Sequence, residues 1–211
     1  MIRVKVCGLN EPLNVKAVSE SGADFMGFIF YPDSKRYVGQ YPDKKMFMNV
    51  PERIKRTGVF VNEELSKVLE MAQFAELKVI QLHGDESVNY CSLLKASGLL
   101  IIKTFRVGSG FDPKVTDRYS EVCDYFLFDT DAGHYGGSGK KFNWKILKDY
   151  YFKNPFFLSG GIGPEDSGIA ETITNQQFYA VDINSRFEIL PGFKDVEKLK
   201  KFINEIKRSN I

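Results

Sequence analysis

The chain is poor in the residues that build the most recognisable sites. Its 211 residues include three cysteines, two histidines and one tryptophan. An odd, sparse cysteine set (Cys7, Cys91, Cys123) is no disulfide framework, and it points to a reducing, intracellular compartment. With only His83 and His134 beside them, the cysteines lack zinc-site spacing, so no metal is expected. An excess of one charge sign is lacking too: 29 Lys and Arg against 27 Asp and Glu leave a net +2. That balance removes the electrostatic case for nucleic acid or a membrane surface as partner. No apolar run approaches the ~20 residues that span a bilayer. The opening M-I-R-V-K-V-C-G has no apolar stretch of a signal peptide. A cytoplasmic protein is the expectation. Linker-like Pro/Ser tracts and low-complexity segments are missing as well, and the length suits one core, a single domain over residues 1–211.

What is present is an alternation. Short runs rich in Val, Ile, Phe and Leu fall at residues 2–6, 24–30, 56–61, 78–82, 99–104, 125–129, 156–159 and 179–183. They show little polar/apolar alternation, as expected of parallel strands buried on both faces. Helical periodicity lies between them at 11–21, 63–73, 87–95, 143–150 and 196–208, and more weakly at 42–49, 112–119 and 166–172. Eight strand–helix units at about 26 residues each fit the short end of an α/β fold of one kind, a single (β/α)8 (TIM) barrel. A doubly wound open sheet is the rival, but no G-x-G-x-x-G follows the first strand.

In such a barrel the chemistry gathers where the strands end at their C-termini. The residues just past the apolar runs are Cys7-Gly8, Arg36, Asn62, Gln81 with His83, Arg106, Asp129, Ser159-Gly160-Gly161, and Asp182 with Asn184 and Ser185. A free cysteine is most often a small buried hydrophobe. Cys7, at a strand end beside Gly8, can instead face the mouth and, partly ionised, abstract a proton. Cys91 and Cys123 read as structural. Asp129 follows four apolar residues, a costly place for a carboxylate without a function, although a cap or loop role is common. Kept protonated, it could serve as a general acid.

The loop after Asp129, D-A-G-H-Y-G-G-S-G-K-K, holds Gly133, Gly136, Gly137 and Gly139, enough freedom for a lid. It is no nucleotide-binding P-loop: His134 stands where that motif needs Gly, and Lys141 where it needs Ser or Thr. Gly160-Gly161 and Asn184-Ser185 follow strands seven and eight, the loops that often hold phosphate through backbone N–H groups. Arg36 lies in a polar loop and can fork onto a carboxylate, although a solvated loop arginine is the usual case. His83 is open between a ligand contact and a satisfied structural imidazole. Gln81 and Asp182 share the same rim and count among the substrate-binding candidates.

Taken in order, K-V-C-G at 5–8, G-A-D-F-M-G-F-I-F at 22–30, Y-P-D-S-K-R-Y-V at 31–38, G-V-F-V-N at 58–62 and V-I-Q-L-H-G-D-E at 79–86 form a pattern. It continues with F-D-T at 128–130, G-G-S-G-K at 136–140, F-L-S-G-G-I at 157–162, V-D-I-N-S-R-F-E at 181–188 and P-G-F-K-D at 191–195. This set, spread over nearly the whole chain, resembles the phosphoribosylanthranilate isomerase family of tryptophan biosynthesis. The resemblance implies a (β/α)8 enzyme without cofactor or metal, acting on a small phosphosugar as a monomer or homodimer. The implied reaction is an Amadori rearrangement with Cys7 as base, Asp129 as acid, Arg36 on the anthranilate carboxylate, and phosphate at Gly160-Gly161 and Asn184-Ser185. One departure is Arg186, where the family commonly has Gly. The alternatives are a non-catalytic phosphosugar-binding barrel and a related phosphosugar isomerase. The imidazole-pathway isomerase places Asp where this chain has Cys7, and indole-glycerol-phosphate synthase has a longer N-terminus.

Overall fold

The structure, a computed structural model, describes residues 1–131, 141–148 and 150–208. The eight expected strands all form: β1 (Arg3–Val6), β2 (Phe25–Ile29), β3 (Lys55–Phe60), β4 (Val79–Leu82), β5 (Leu100–Val107), β6 (Tyr125–Thr130), β7 (Phe156–Leu158) and β8 (Phe178–Ile183). They pair in chain order and in parallel, and β1 closes the ring against β8 with Val4 opposite Val181. Both edges of each of these eight strands are thereby paired, as closure into a barrel allows.

Helices α1 (Pro12–Ser19), α2 (Lys44–Met48), α3 (Leu65–Phe74), α4 (Val88–Lys95), α5 (Ile169–Thr172) and α6 (Val196–Arg208) lie between or after the strands. Pro12 opens α1, and the Glu11 carboxylate caps it by accepting from the Leu13 and Asn14 amides. In α6 the apolar stripe of Leu199, Phe202, Ile203 and Ile206 is buried, and Val196 on the same stripe is partly so. No helix among the described residues is long and apolar enough to cross a membrane.

Three expectations need correction. The helix expected over 143–150 is a single 3₁₀ turn, Trp144–Leu147, and that over 112–119 is a 3₁₀ segment, Pro113–Tyr119. The weak helix at 166–172 divides into a 3₁₀ turn, Pro164–Asp166, and the one-turn α5. Such short segments recover too few hydrogen bonds to offset helix nucleation, so their caps and core contacts decide their form. The sequence reading also omitted a hairpin after β8, formed by β9 (Glu188–Leu190) and β10 (Phe193–Lys194). Its turn runs through Pro191 and Gly192, the latter at φ +88°. The supposed lid, Gly133 to Gly139 with His134, lies outside the described residues.

Apolar strand residues facing outwards, such as Phe28, Phe126 and Val181, pack with the helices in the main core. Those facing inwards form a separate plug: Phe25, Val79, Ile102, Leu127, Phe157 and Ala180. Because side chains alternate along a strand, the next inward residue stands two positions further on. That step converts Val79 to Gln81, Ile102 to Thr104, Leu127 to Asp129, Phe157 to Ser159 and Ala180 to Asp182. Lys5 steps in the same way to Cys7. The lumen is thus apolar below and polar above.

Candidate active site

The polar layer floors a cavity of about 400 Å³ at the C-terminal mouth. Of the residues expected at the site, Cys7, Arg36, Gln81, His83, Asp129, Gly160, Gly161, Asp182, Asn184 and Ser185 all line it, and Ser159 joins them. Asn62 and Arg106 do not; both engage Asp85 beside the mouth, Asn62 through its Oδ1 and Arg106 through an ion pair of 2.7 Å.

Cys7 is almost completely buried, with Lys5 and Asp182 next to it. Lys5 Nζ donates to Asp182 Oδ1 at 2.9 Å, and neither side chain is appreciably exposed. Burial works to lower the Lys5 ammonium, but Asp182 and the Cys7 sulfur outweigh it and hold the ammonium above its ordinary value. Burial pushes the Asp182 carboxyl up, and Lys5 only partly offsets that. The thiol follows the same logic. Burial raises it, Lys5 and Lys194 pull it back, Asp182 pushes it further up, and the net direction is upward. Partial ionisation of the thiol calls for the opposite shift; here desolvation prevails over two ammonium groups.

Across the ring, Asp129 Oδ1 accepts from the Thr130 amide at 2.9 Å, and Oδ2 lies 3.4 Å from His83 Nε2. His83 Nδ1 is 3.0 Å from Gln81 Nε2, which also reaches Thr104 Oγ1 at 3.3 Å. His83 is thus part of a row, Gln81–His83–Asp129, rather than a loose rim residue. Gln81 Oε1 is buried at the cavity without a partner. Such an atom normally has a hydrogen bond to make.

The 160–161 and 184–185 loops follow neighbouring strands, β7 and β8, and both line the mouth. Gly160 and Gly161 adopt φ +91° and +67°, and a side chain at 160 would run into Thr130 Oγ1 and the Thr130 amide. The backbone there approaches β6 as only glycine permits. Arg186, the departure from the family pattern, is half-exposed and pairs with Glu165 at 2.7 Å.

Arg36 is not a solvated loop arginine. Its Nε and one terminal nitrogen fork onto the two Glu188 oxygens at 2.8 and 2.6 Å. Glu188 Oε1 also accepts from Lys194 Nζ at 2.7 Å. The sequence reading missed both partners because they lie on the unforeseen hairpin. The only signal was their place inside the quoted segments S-R-F-E and P-G-F-K-D.

Fold and site together define a (β/α)8-barrel isomerase. A family model described as N-(5'phosphoribosyl)anthranilate (PRA) isomerase matches residues 4–205, and the chain belongs to that family. The isomerase of that name from Phocaeicola vulgatus is 46 % identical over 205 residues, covering 97 % of this chain and 98 % of that protein. The crystal structure of the Thermotoga maritima enzyme superposes with a TM-score of 0.87 at 37 % identity, covering 99 % of this chain and all of that one. A second solved enzyme, holding reduced 1-(o-carboxyphenylamino)-1-deoxyribulose 5-phosphate, gives 0.84 at 34 % identity over 99 % of this chain and all of that one.

Proposed function

We propose that this chain converts N-(5'-phosphoribosyl)anthranilate to 1-(2-carboxyphenylamino)-1-deoxyribulose 5-phosphate. The observation that carries the residue assignment is a buried thiol just past β1 and a buried carboxylic group on β6, facing one cavity. Strands one and six are three apart in an eight-strand ring, so the two groups approach a bound sugar from different sides.

Asp129 in its acid form protonates the furanose ring oxygen. The C1′–O bond breaks as the anthranilate nitrogen lone pair forms a C1′=N bond, giving a protonated Schiff base. The Cys7 thiolate takes the C2′ proton, and the electron pair moves into the C1′–C2′ bond and onto nitrogen. The resulting enolamine tautomerises, with a proton added at C1′ and the C2′ hydroxyl becoming a ketone. No atom is gained or lost, and one acid and one base suffice. Arg36 takes the anthranilate carboxylate, and backbone amides of the 160–161 and 184–185 loops take the phosphate. Gln81 Oε1 is an acceptor ready for a sugar hydroxyl, and Asp182 holds Lys5 against the thiol.

The test is a fluorescence assay. The labile adduct is made in place from anthranilate and phosphoribosyl pyrophosphate by a transferase, and its disappearance is followed on adding this protein. Turnover that Cys7→Ala or Asp129→Asn removes is the expected result. No turnover by folded wild-type protein beside an active transferase would overturn the assignment.

A further inference from the structure

The hairpin that the sequence did not announce closes a chain of buried contacts ending on Arg36. At its base the Asn14 side chain on α1 clamps the Lys194 backbone in both directions, accepting from its amide at 2.8 Å and donating to its carbonyl at 2.9 Å. The Lys194 side chain is completely buried, and its Nζ donates to Asn184 Oδ1 at 2.6 Å and to Glu188 Oε1 at 2.7 Å. Gly192 N–H also donates to Glu188 Oε1, at 3.0 Å. Glu188 then receives the Arg36 fork. Gly8 completes the fit, because a side chain there would meet Arg36 Cδ and Asn184 Oδ1.

A guanidinium has five N–H donors. Glu188 takes Nε–H and one N–H of the adjacent nitrogen, so the opposite edge, with its two terminal nitrogens, remains for a second planar anion. Arg36 lines the mouth. Two cations and one carboxylate leave this corner with a net positive charge. We infer that Glu188, locked by Lys194, is a positioning residue that aims the free edge of Arg36 at an aryl carboxylate and so sets the enzyme's preference for a carboxyl-bearing substrate. This rests on the reading of Arg36 given above.

Glu188 is not a competitor waiting to be displaced. Removing it from Arg36 would leave the Lys194 ammonium buried with only a neutral amide and strand a nearly buried carboxylate. The electrostatics agree. Burial works to raise the Glu188 carboxyl, but Arg36 and Lys194 prevail and hold it below its usual value. Burial pulls Lys194 down to about 8 despite Glu188.

The experiment compares binding of two probes: the reduced carboxyphenylamino-deoxyribulose phosphate, and the same molecule with an unsubstituted phenyl ring. Both keep the phosphate and sugar chain, so the phenyl probe reports an intact site. In Glu188→Gln the carboxyl probe should weaken by roughly ten- to a hundredfold, the range for a hydrogen bond to a charged group. The phenyl probe should stay within about twofold. Lys194→Gln, which keeps a neutral partner for Asn184, should shift the same ratio in the same direction by less, and serves if Glu188→Gln does not fold.

Equal losses of both probes would mean a merely structural role. Unchanged or tighter binding of the carboxyl probe would mean that Glu188 does not aim Arg36. Either overturns the inference. If the wild type itself binds both probes alike, the carboxylate reading of Arg36 falls and takes the inference with it. Discrimination kept in both variants removes the inference alone.

Discussion

Two layers fill the barrel lumen on the same strands, two residues apart, and they are built in opposite ways. The lower one is closed by aromatic and branched side chains, with the Phe157 ring edge-on to Phe25 at 5.2 Å between centroids. The upper one buries a thiol, an amide, two carboxylates and, beside them, ammonium groups. Folding favours the first arrangement and resists the second. The polar layer is tolerable because its buried charges are paired, Lys5 with Asp182 and, at its side, Glu188 with both Arg36 and Lys194. The contrast teaches a division of labour. An apolar plug drawn from six of the eight strands holds the barrel's lower end together, so that groups costly to bury can be aimed at one cavity.

The sharpest way to break this contrast is to strike the upper layer at its reacting groups. Cys7→Ala and Asp129→Asn should each lower kcat by ~10²–10⁴-fold. The reduced product analogue should still bind both, as titration would show. Striking the lower layer should do the reverse. Phe157→Ala removes a buried ring and should cost ~3–5 kcal/mol of stability in denaturant titrations. Its kcat per folded molecule should remain near that of the wild type.

A third prediction separates pairing from packing. Asp182→Ala strands the buried Lys5 ammonium and should cost on the order of 3–5 kcal/mol. The apolar double variant Lys5→Met with Asp182→Leu should recover most of that stability and none of the activity. Thermal unfolding and the isomerase assay, run on both, would decide it.

The fourth prediction concerns pH. A base acts in its deprotonated form, and burial has raised the Cys7 thiol. In Asp129→Asn, where the acid no longer titrates, the residual kcat/KM should therefore keep climbing with pH beyond the ordinary thiol range of about 8.5. A plateau below that range would show Lys5 and Lys194 prevailing over desolvation. The smallest effect belongs to Arg186→Gly. Its pair with Glu165 is half-exposed on both sides, and the melting temperature should not move measurably.

Much of this contrast was legible in the sequence. Short apolar runs ending in Cys7, Gln81, Asp129 and Asp182 mark both the strands and the rim, because burial on both faces leaves no alternation to confuse. Strand ends were within a residue or two, except β5, which continues to Val107 beyond the expected 104. The polar Arg106 hid that extension; it pairs with Asp85 at 2.7 Å. The α1 and α6 segments declared themselves by period. The 3₁₀ segments did not, since a one-turn pattern carries no period. The hairpin was invisible for a related reason. Glu188–Leu190 and Phe193–Lys194 are too short to show alternation, and their partner-making residues look like surface charges. The buried state of Glu188 and Lys194 depends on Arg36, about 150 residues away along the chain. No local pattern encodes a contact of that range.

One measurement bears most directly on the division between the two layers: kcat and the unfolding midpoint, determined on the same preparation of Asp129→Asn. A loss of ~10²-fold or more in kcat with a midpoint at or above that of the wild type is the predicted result. Wild-type turnover in that variant, or a rate that falls only in step with lost stability, would contradict the assignment of chemistry to the upper layer.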